Sequence, residues 1–569
     1  MTKPDIPQTL AEQTGFKKTG RYEEAQRLCE IYAQAWPEAV RCFEFGRTPE
    51  GRPMLALAVS RTGTLKPEEL RQKKIPLLLL QGGIHPGESD GKDAGFMVLR
   101  GWLQSRSPLL EKIAVLFVPV FNVDGHERFG PWNRPNQAGP EEMGWRTTAQ
   151  NLNLNRDYTK ADAPEMQAML RLLQEWDPLV YADLHVTDGA DFEHDISITG
   201  TPIFEGDPAL QPAGRELRDG VIRKLAAQGS LPLDFYPNLA RQDDPASGFE
   251  VGAHPARYST GYWALHNRLA ILVETHSWKD YATRVRITRN TIVALAEETA
   301  AHGADWLNLT RKSDAAAKKI GGTPVALDYE TGDHVSTFAF RGYAYAREPS
   351  AVSGALATRY DPKTPQIWNV PLKDTVRTKI SVTAPGGGYV VPAGYAELIG
   401  QRLALHGVEF RRLDTAVAHA AVESFRASRV KLEAKSFEGR TQAALEGEWK
   451  PEARDIPAGS LFVPIAQDRA RLAMALLEPR APDSFAAWGF FNAVFEQKEY
   501  IEPYVAEQIG REMLERDPAI AAEFRRKLDQ EPEFAHDPAA RLEFFYRRHP
   551  SWDERLNLLP VYRVESASF

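Results

Sequence analysis

The sequence predicts an α/β fold around a mixed, largely parallel sheet, and three observations carry that expectation. Apolar runs alternate with helical periodicities from about residue 75 to residue 302, the pattern of strands joined by crossover helices. The runs themselves, such as IPLLLL and IAVLFVPVF, are strand-length and far short of a bilayer span. Apolar residues make up 43% and charged residues 26% of the chain, near globular averages, which argues against disorder and against a membrane class.

The elements follow in order. Residues 21–36 (RYEEAQRLCEIYAQAW) have helical periodicity and stop at Pro37. AVRCFEFG and MLALAVS read as a strand pair across the turn TPEGRP. LLLLQ is a buried strand, followed by a helix near 91–105, the strand IAVLFVPVF, a long polar loop, a helix near 164–176 and the strand LVYADLH. A helix near 211–227, the strand LAILVET and a helix near 284–302 complete the pattern. The small, polar stretch 308–324 reads as a linker. Short segments punctuated by Gly and Pro then suggest a β-rich region to about residue 450, GSLFVPIA another strand, and the final hundred residues helices. The expected organisation is an N-terminal helical segment (1–40), a catalytic-type domain (41–307), the linker (308–324), a β-rich accessory domain (325–450) and a mixed, then helical, C-terminal region (451–569).

Several classes are disfavoured. A formal charge of −8 offers no basic stripe for nucleic acid. The N-terminal residues lack an apolar signal core, so as the sequence stands the protein is expected to be soluble, off the membrane and cytoplasmic, and extracytoplasmic only if a leader was replaced. Two cysteines cannot build a disulfide framework or a thiolate zinc site, and free thiols at Cys29 and Cys42 are the expectation, with one bond between them left open. Oligomeric state is not legible.

The chemistry concentrates at strand ends. Residues 75–91, IPLLLLQGGIHPGESDG, run an apolar strand into a glycine turn that presents His85 and Glu88. An imidazole and a carboxylate there are two thirds of a His₂Glu zinc set, which in catalytic sites leaves a position open for water. A second pair with the same spacing, His406 and Glu409, lies where a helix turns into a strand without polar partners and reads as structural. The favoured third ligand is His185 in LVYADLHVTDG, again at a strand end, where open α/β sheets bind their ligands. Asp183 shares its strand face and could orient an imidazole. Glu274, in LAILVETHSW, is an acid after five apolar residues, costly to bury unless paired or functional. It is the candidate general base, and His276 its rival as a fourth ligand or structural partner.

Taken in order, FGRTPEGRPMLALAVS, GGIHPGES, FNVDG, NLNLNRDY, YADLH and VETHS resemble the zinc carboxypeptidase family, the carboxypeptidase A-like metallopeptidases, over about residues 41–305. Carboxypeptidase A is itself a standard example of a His₂Glu zinc enzyme. The resemblance implies a three-layer α/β/α sandwich, one zinc ion per chain held by His85, Glu88 and His185, and Glu274 as general base. It implies that Asn155 and Arg156 grip a substrate's terminal carboxylate, for which a guanidinium fork is the matching shape. An arginine that polarises the scissile carbonyl is also implied, with Arg146 favoured over Arg134. Asn153 stands where the family often has Asp beside a zinc-bound His. Tyr258 and Tyr262 sit suitably upstream of Glu274 to close on substrate, though packing accounts for either.

The expected activity is hydrolysis of the C-terminal amide bond of peptides with a free carboxylate. Alternatives on the same residues are amide hydrolysis of peptidoglycan peptides or N-acyl amino acids, and an inactive peptide-binding homologue, against which the intact residue set argues. Residues 325–569 lie outside the resemblance as read. Trp488, Phe490 and Phe491 in AAWGFFNAVF look like a substrate platform, but such a cluster in an apolar run is ordinarily core.

Overall fold

A computed structural model describes residues 6–566, so the first five residues of the N-terminal segment and the last three of the chain lie outside it. Eight strands form the main sheet: β1 (Val40–Arg47), β2 (Pro53–Val59), β3 (Leu77–Gly82), β4 (Ala114–Val118), β5 (Val180–Val186), β6 (Ile196–Thr201), β7 (Pro232–Leu233) and, after the short β8 (Phe249–Glu250) of another sheet, β9 (Leu269–Thr275). Their spatial order is β1-β2-β4-β3-β5-β9-β6-β7. The four central strands β4, β3, β5 and β9 are parallel, while β1, β2 and β6 join antiparallel. β3, β4 and β5 are buried along their whole length, as strands covered on both faces must be, and for that reason they read as continuous apolar runs.

Helices Asp90–Ser105, Gln211–Ala227 and Tyr281–Ala317 pack side by side, with Pro164–Trp176 against β1, giving the expected α/β/α layering. Phe43 of β1 stacks on Trp176 at 5.4 Å. The last of these helices is longer than its apolar pattern suggests. It continues through the first ten residues of the supposed linker because Trp306, Thr310, Ser313 and Ala317 recur at helical spacing and are buried.

Cys29, on helix Tyr22–Ala35, and Cys42, on β1, form a disulfide with Cα atoms 5.5 Å apart, which corrects the expectation of free thiols. Sequence could not see this, because the pairing depends on how the helix docks on the strand. Among the described residues no helix is long and apolar enough to cross a membrane.

Beyond residue 323 the chain is β-rich, as expected. β10 (Pro324–Thr331) pairs with β13 (Val376–Thr383), and β11 (Val335–Pro349) with β12 (Leu356–Lys373) as a long hairpin. β12 also pairs with β8, so this region is stitched to the segment that leads into β9. A six-stranded sheet follows, ordered β15-β18-β14-β19-β16-β17, from β14 (Gly388–Val391), β15 (Arg411–Arg412), β16 (Val417–Leu432), β17 (Ala443–Ile456), β18 (Leu461–Pro464) and β19 (Leu558–Val564). The terminal helices Pro503–Arg516, Pro518–Gln530 and Pro538–Tyr546 each begin with proline, and Phe524, Phe544 and Phe545 form a small core among them. β19 departs from the all-helical reading of the chain's end. A seven-residue apolar run does not reveal its own conformation, and here it fills a central position of the six-stranded sheet.

Candidate metal centre

β3 is the strand at which the sheet order reverses: β4 lies on one side and β5 on the other. Loops leaving the carboxyl ends on either side of such a strand diverge and open a crevice. The His85–Glu88 loop leaves the carboxyl end of β3, His185 lies near the end of neighbouring β5, and Glu274 on β9 is in register with His185. Three separate strand ends therefore deliver side chains to one place.

One donor atom from each of His85, Glu88 and His185 lies within 4.8 Å of the others, and all three residues are buried. Nδ1 of His85 is 2.9 Å from Glu88 Oε1, and Nδ1 of His185 is 2.9 Å from Glu88 Oε2. The outward nitrogens face other oxygens: Nε2 of His85 is 3.2 Å from Asn153 Oδ1, and Nε2 of His185 is 3.0 Å from Asp183 Oδ2. Asp183 is itself held by the Gln81 amide (2.8 Å) and the Ser259 hydroxyl (2.6 Å). With an oxygen beside each Nε2, though out of hydrogen-bond geometry at His185, both Nδ1 atoms converge with the carboxylate, the donor set that suits zinc.

The electrostatics agree with a cation site. Burial depresses His85 to about 4, so it is a neutral imidazole near neutral pH. Burial would raise Glu88, but Arg134 and the two histidines hold it well below the usual carboxylate range. Burial opposes a charge on His185, yet Asp183 and Glu88 pull its titration well above the ordinary histidine value. Burial lifts Glu274 to about 8, with His185 and Arg134 opposing and Glu88 reinforcing the rise. Its Oε2 is buried without a hydrogen-bond partner. Glu88, Asp183 and Glu274 thus crowd one site in which Arg134 and a protonated His185 are the cations, and a divalent ion in place of the His185 proton would let Glu274 ionise.

A cavity of about 590 Å³ opens beside the cluster and is lined by Arg146, Asn155, Arg156, Tyr258 and Glu274 together with both histidines. Neither Arg146 nor Arg156 forms an ion pair among the described residues: Arg156 donates to the Asn155 carbonyl at 2.6 Å and lies 4.6 Å over the Tyr258 ring. Two other sequence-chosen residues do not reach the cavity. Arg134 is buried, with Nη1 2.7 Å from Glu88 Oε1 and Nη2 3.2 Å from the Val186 carbonyl. Gly87 makes this possible, since a Cβ there would sit 2.4 Å from Arg134 Cγ. Arg134 therefore braces the loop and does not touch substrate space. Tyr262 is buried, its hydroxyl 3.0 Å from His406 Nδ1, and is a packing residue. His276 stacks on Phe192 at 3.9 Å and faces Thr187, which leaves it structural. Trp488 is fully buried and donates to Thr159 Oγ1 at 3.0 Å, so it is core and not a platform.

Sequence reasoning missed Ser259, which fixes Asp183, Thr199, whose buried hydroxyl lines the cavity without a partner, and Glu438, which reaches the Asn153 backbone. Ser259 lies between Tyr258 and Tyr262, and a lone serine there carries no signal of its own. Thr199 and Glu438 carry no local signal at all.

Comparison with known proteins finds similarity to one family over part of the chain. Residues 26–191 match the zinc carboxypeptidase family, a span that includes His85, Glu88 and His185 and ends before Glu274. The chain is 23% identical to carboxypeptidase 2 of Trichophyton equinum over 463 residues, 78% of this chain and 79% of that protein. The figures for the Trichophyton rubrum protein of the same name are 23% over 470 residues, with the same coverage. A match over 78% of the chain necessarily runs past residue 325, so the similarity extends into the region that the sequence reading left outside. Solved structures similar to this chain include carboxypeptidase A from Helicoverpa armigera (16% identity, TM-score 0.37, 50% of this chain and 75% of that one). Another is the metallo-carboxypeptidase of Pseudomonas aeruginosa in complex with (2-guanidinoethylmercapto)succinic acid (16%, TM-score 0.36, 50% and 69%).

Proposed function

We propose that this chain, whose residues 26–191 match the zinc carboxypeptidase family, is a zinc metallocarboxypeptidase that removes the C-terminal residue of peptides, with one zinc ion held by His85, Glu88 and His185. The observation that carries the reading is a pair of cavity-lining guanidiniums, Arg146 and Arg156, that have no carboxylate partner beside a buried His–Glu–His cluster. Unpaired cations on a cavity wall are costly unless a ligand supplies the anion.

When bound, zinc supplies a water acidified toward neutrality and a polarised carbonyl. Glu274 takes the proton from the attacking water through its unpartnered Oε2 and passes it to the leaving amine, a role worth about 10²–10⁴-fold in rate. Arg156 and the Asn155 amide hold the substrate's terminal carboxylate, which fixes the scissile bond over the attacking group. Arg146, a cavity-lining cation whose charge acts on His85, meets the negative charge that grows on the carbonyl oxygen. The Cys29–Cys42 disulfide favours an oxidising compartment over the cytoplasm.

The test is a peptide mixture incubated with and without a chelator, with released residues read by mass spectrometry. Loss of single C-terminal residues that stops with chelation and with C-terminal amidation is expected. Cleavage that survives amidation removes Asn155 and Arg156 from carboxylate binding and turns the reading toward another amidohydrolase. Glu274→Gln is expected to keep its zinc and to lose about 10²–10⁴-fold in kcat. A fully active variant would mean that the base lies elsewhere.

A further inference from the structure

The tip of the β16–β17 hairpin reaches the metal centre from far outside residues 26–191. Phe437 and Arg440 exchange both backbone hydrogen bonds, at 2.8 and 3.1 Å, so Glu438 and Gly439 form a two-residue loop. Both have positive φ, 50° and 79°, the mirror-image turn whose favoured occupants are Asn then Gly. Gly439 suits its position. Glu438 does not, because a long side chain gains nothing in the left-handed region and is strained there. A residue kept against local preference invites the question of what its side chain does.

The Glu438 side chain reaches across to the catalytic segment, where Oε2 accepts the backbone N–H of Asn153 at 2.8 Å. Asn153 stands between two working groups. Its Oδ1 faces Nε2 of His85 at 3.2 Å, and the same atom accepts the Asn155 N–H at 3.1 Å, capping the short turn Leu154–Arg156. The hairpin tip is fixed on both sides. Arg440 makes a forked pair with Asp162, both contacts 2.6 Å, and Phe437 stacks on Trp488 at 6.0 Å with planes 10° apart. Arg440 and Phe437 thus serve as anchors, while Glu438 makes the hydrogen bond to the segment that carries Asn153, Asn155 and Arg156.

We propose that Glu438 is a positioning residue for the carboxylate-gripping pair Asn155 and Arg156, so that the C-terminal region completes the site. The proposal rests on the role given to that pair above.

Glu438→Asn separates positioning from packing. Asn is better suited to this turn but too short to reach Asn153, so the thermal midpoint should stay level or rise. KM for an N-blocked dipeptide with a free C-terminus should rise about tenfold, the scale of one hydrogen bond to a charged acceptor. kcat should change much less, and the Asn153 amide should exchange its hydrogen about tenfold faster. Glu438→Gln keeps an acceptor of the same reach and should restore most of the KM. Lys435→Ala, exposed on the same hairpin, should match wild type. Unchanged KM and exchange in Glu438→Asn overturn the proposal. So does an equal KM rise in both Glu438 variants accompanied by a falling midpoint. Should the wild type cleave no peptide with a free C-terminus, the carboxypeptidase reading falls on its own. The exchange measurement then decides for Glu438: faster exchange upholds its hold on the loop, and unchanged exchange removes it.

Discussion

His85–Glu88 and His406–Glu409 share one spacing and serve opposite ends. In the first, a loop leaving the carboxyl end of β3 turns both side chains inward, 2.9 Å apart, and Glu88 also meets His185 from β5. In the second, His406 follows helix Ala393–Leu405 and is fully buried. Its Nε2 donates to the Thr159 carbonyl at 3.0 Å, and its Nδ1 accepts from the Tyr262 hydroxyl at 3.0 Å. Glu409 turns outward, and only its backbone is engaged, with Gln467. The i,i+3 interval therefore decides nothing by itself. What decides is whether neighbouring strands bring a third donor and surplus negative charge, or whether each imidazole nitrogen already has a neutral partner. The first histidine is arranged for a cation. The second is a staple between the catalytic segment and the C-terminal region.

Exchanging the two histidines for alanine breaks the comparison most sharply. His85→Ala should take zinc from about one ion per chain to near none and abolish turnover, with a smaller loss of folded stability than His406→Ala, since Glu88 keeps Arg134, His185 and the Val186 N–H, and Asn153 Oδ1 keeps the Asn155 N–H. His406→Ala should do the reverse: zinc content and kcat per folded molecule stay put, while stability falls by about 2–4 kcal/mol because two buried partners lose their hydrogen bonds and a cavity opens. Metal analysis beside urea unfolding reads both. If His406→Ala releases zinc, or His85→Ala keeps it, the two segments have been assigned the wrong way round.

Acid sharpens the contrast at smaller scale. Burial depresses His406 to about 3 from an ordinary 6.5, with the bond to the Thr159 carbonyl opposing the fall and the Arg402 charge adding to it. A histidine whose folded value lies below its unfolded value stabilises the fold above about 6.5, and that contribution drains away as pH falls toward 3. Between pH 7 and pH 5 the loss is about 2 kcal/mol from this residue alone. Unfolding titrations of wild type and His406→Gln at the two pH values should show the pH sensitivity shrinking by about that amount in the variant. Equal sensitivity in both would mean that His406 titrates near its ordinary value and that its burial costs the charged form nothing.

The parts of the molecule that were legible from residues are those set by local chemistry. The buried runs of β3, β5 and β9 announced parallel strands, and His85, Glu88, His185 and Glu274 were legible because each is polar where such a run ends. Arg134 is a candidate by its local context and Tyr262 by its place upstream of Glu274, and neither says which way a side chain turns. Arg134 folds back over Gly87 onto Glu88, and Tyr262 faces His406. The Cys29–Cys42 bond and the Glu438–Asn153 contact are long-range products of docking, the second across 285 residues, and neither leaves a local trace. The helix to Ala317 and strand β19 were missed for a subtler reason. A polar helix with a narrow buried stripe resembles a linker, and a seven-residue apolar run fits several fates.

Asn153 provides the finest test, since it sits where related enzymes often carry an aspartate. Nε2–H of His85 donates to its Oδ1, and that bond leaves the Nδ1 lone pair pointing toward Glu88 and the cation position. Asn153→Asp would turn a neutral acceptor into an anion at the same 3.2 Å, raising the basicity of the coordinating nitrogen without altering the donor set. Zinc affinity in chelator competition should rise about tenfold, the lower end of what partners of metal-bound histidines contribute. The same substitution at a fully satisfied histidine would gain nothing, so the rise measures how far His85 differs from His406. An affinity that stays level or falls would mean that repulsion from Glu438, which already holds the Asn153 backbone, outweighs the help given to the imidazole.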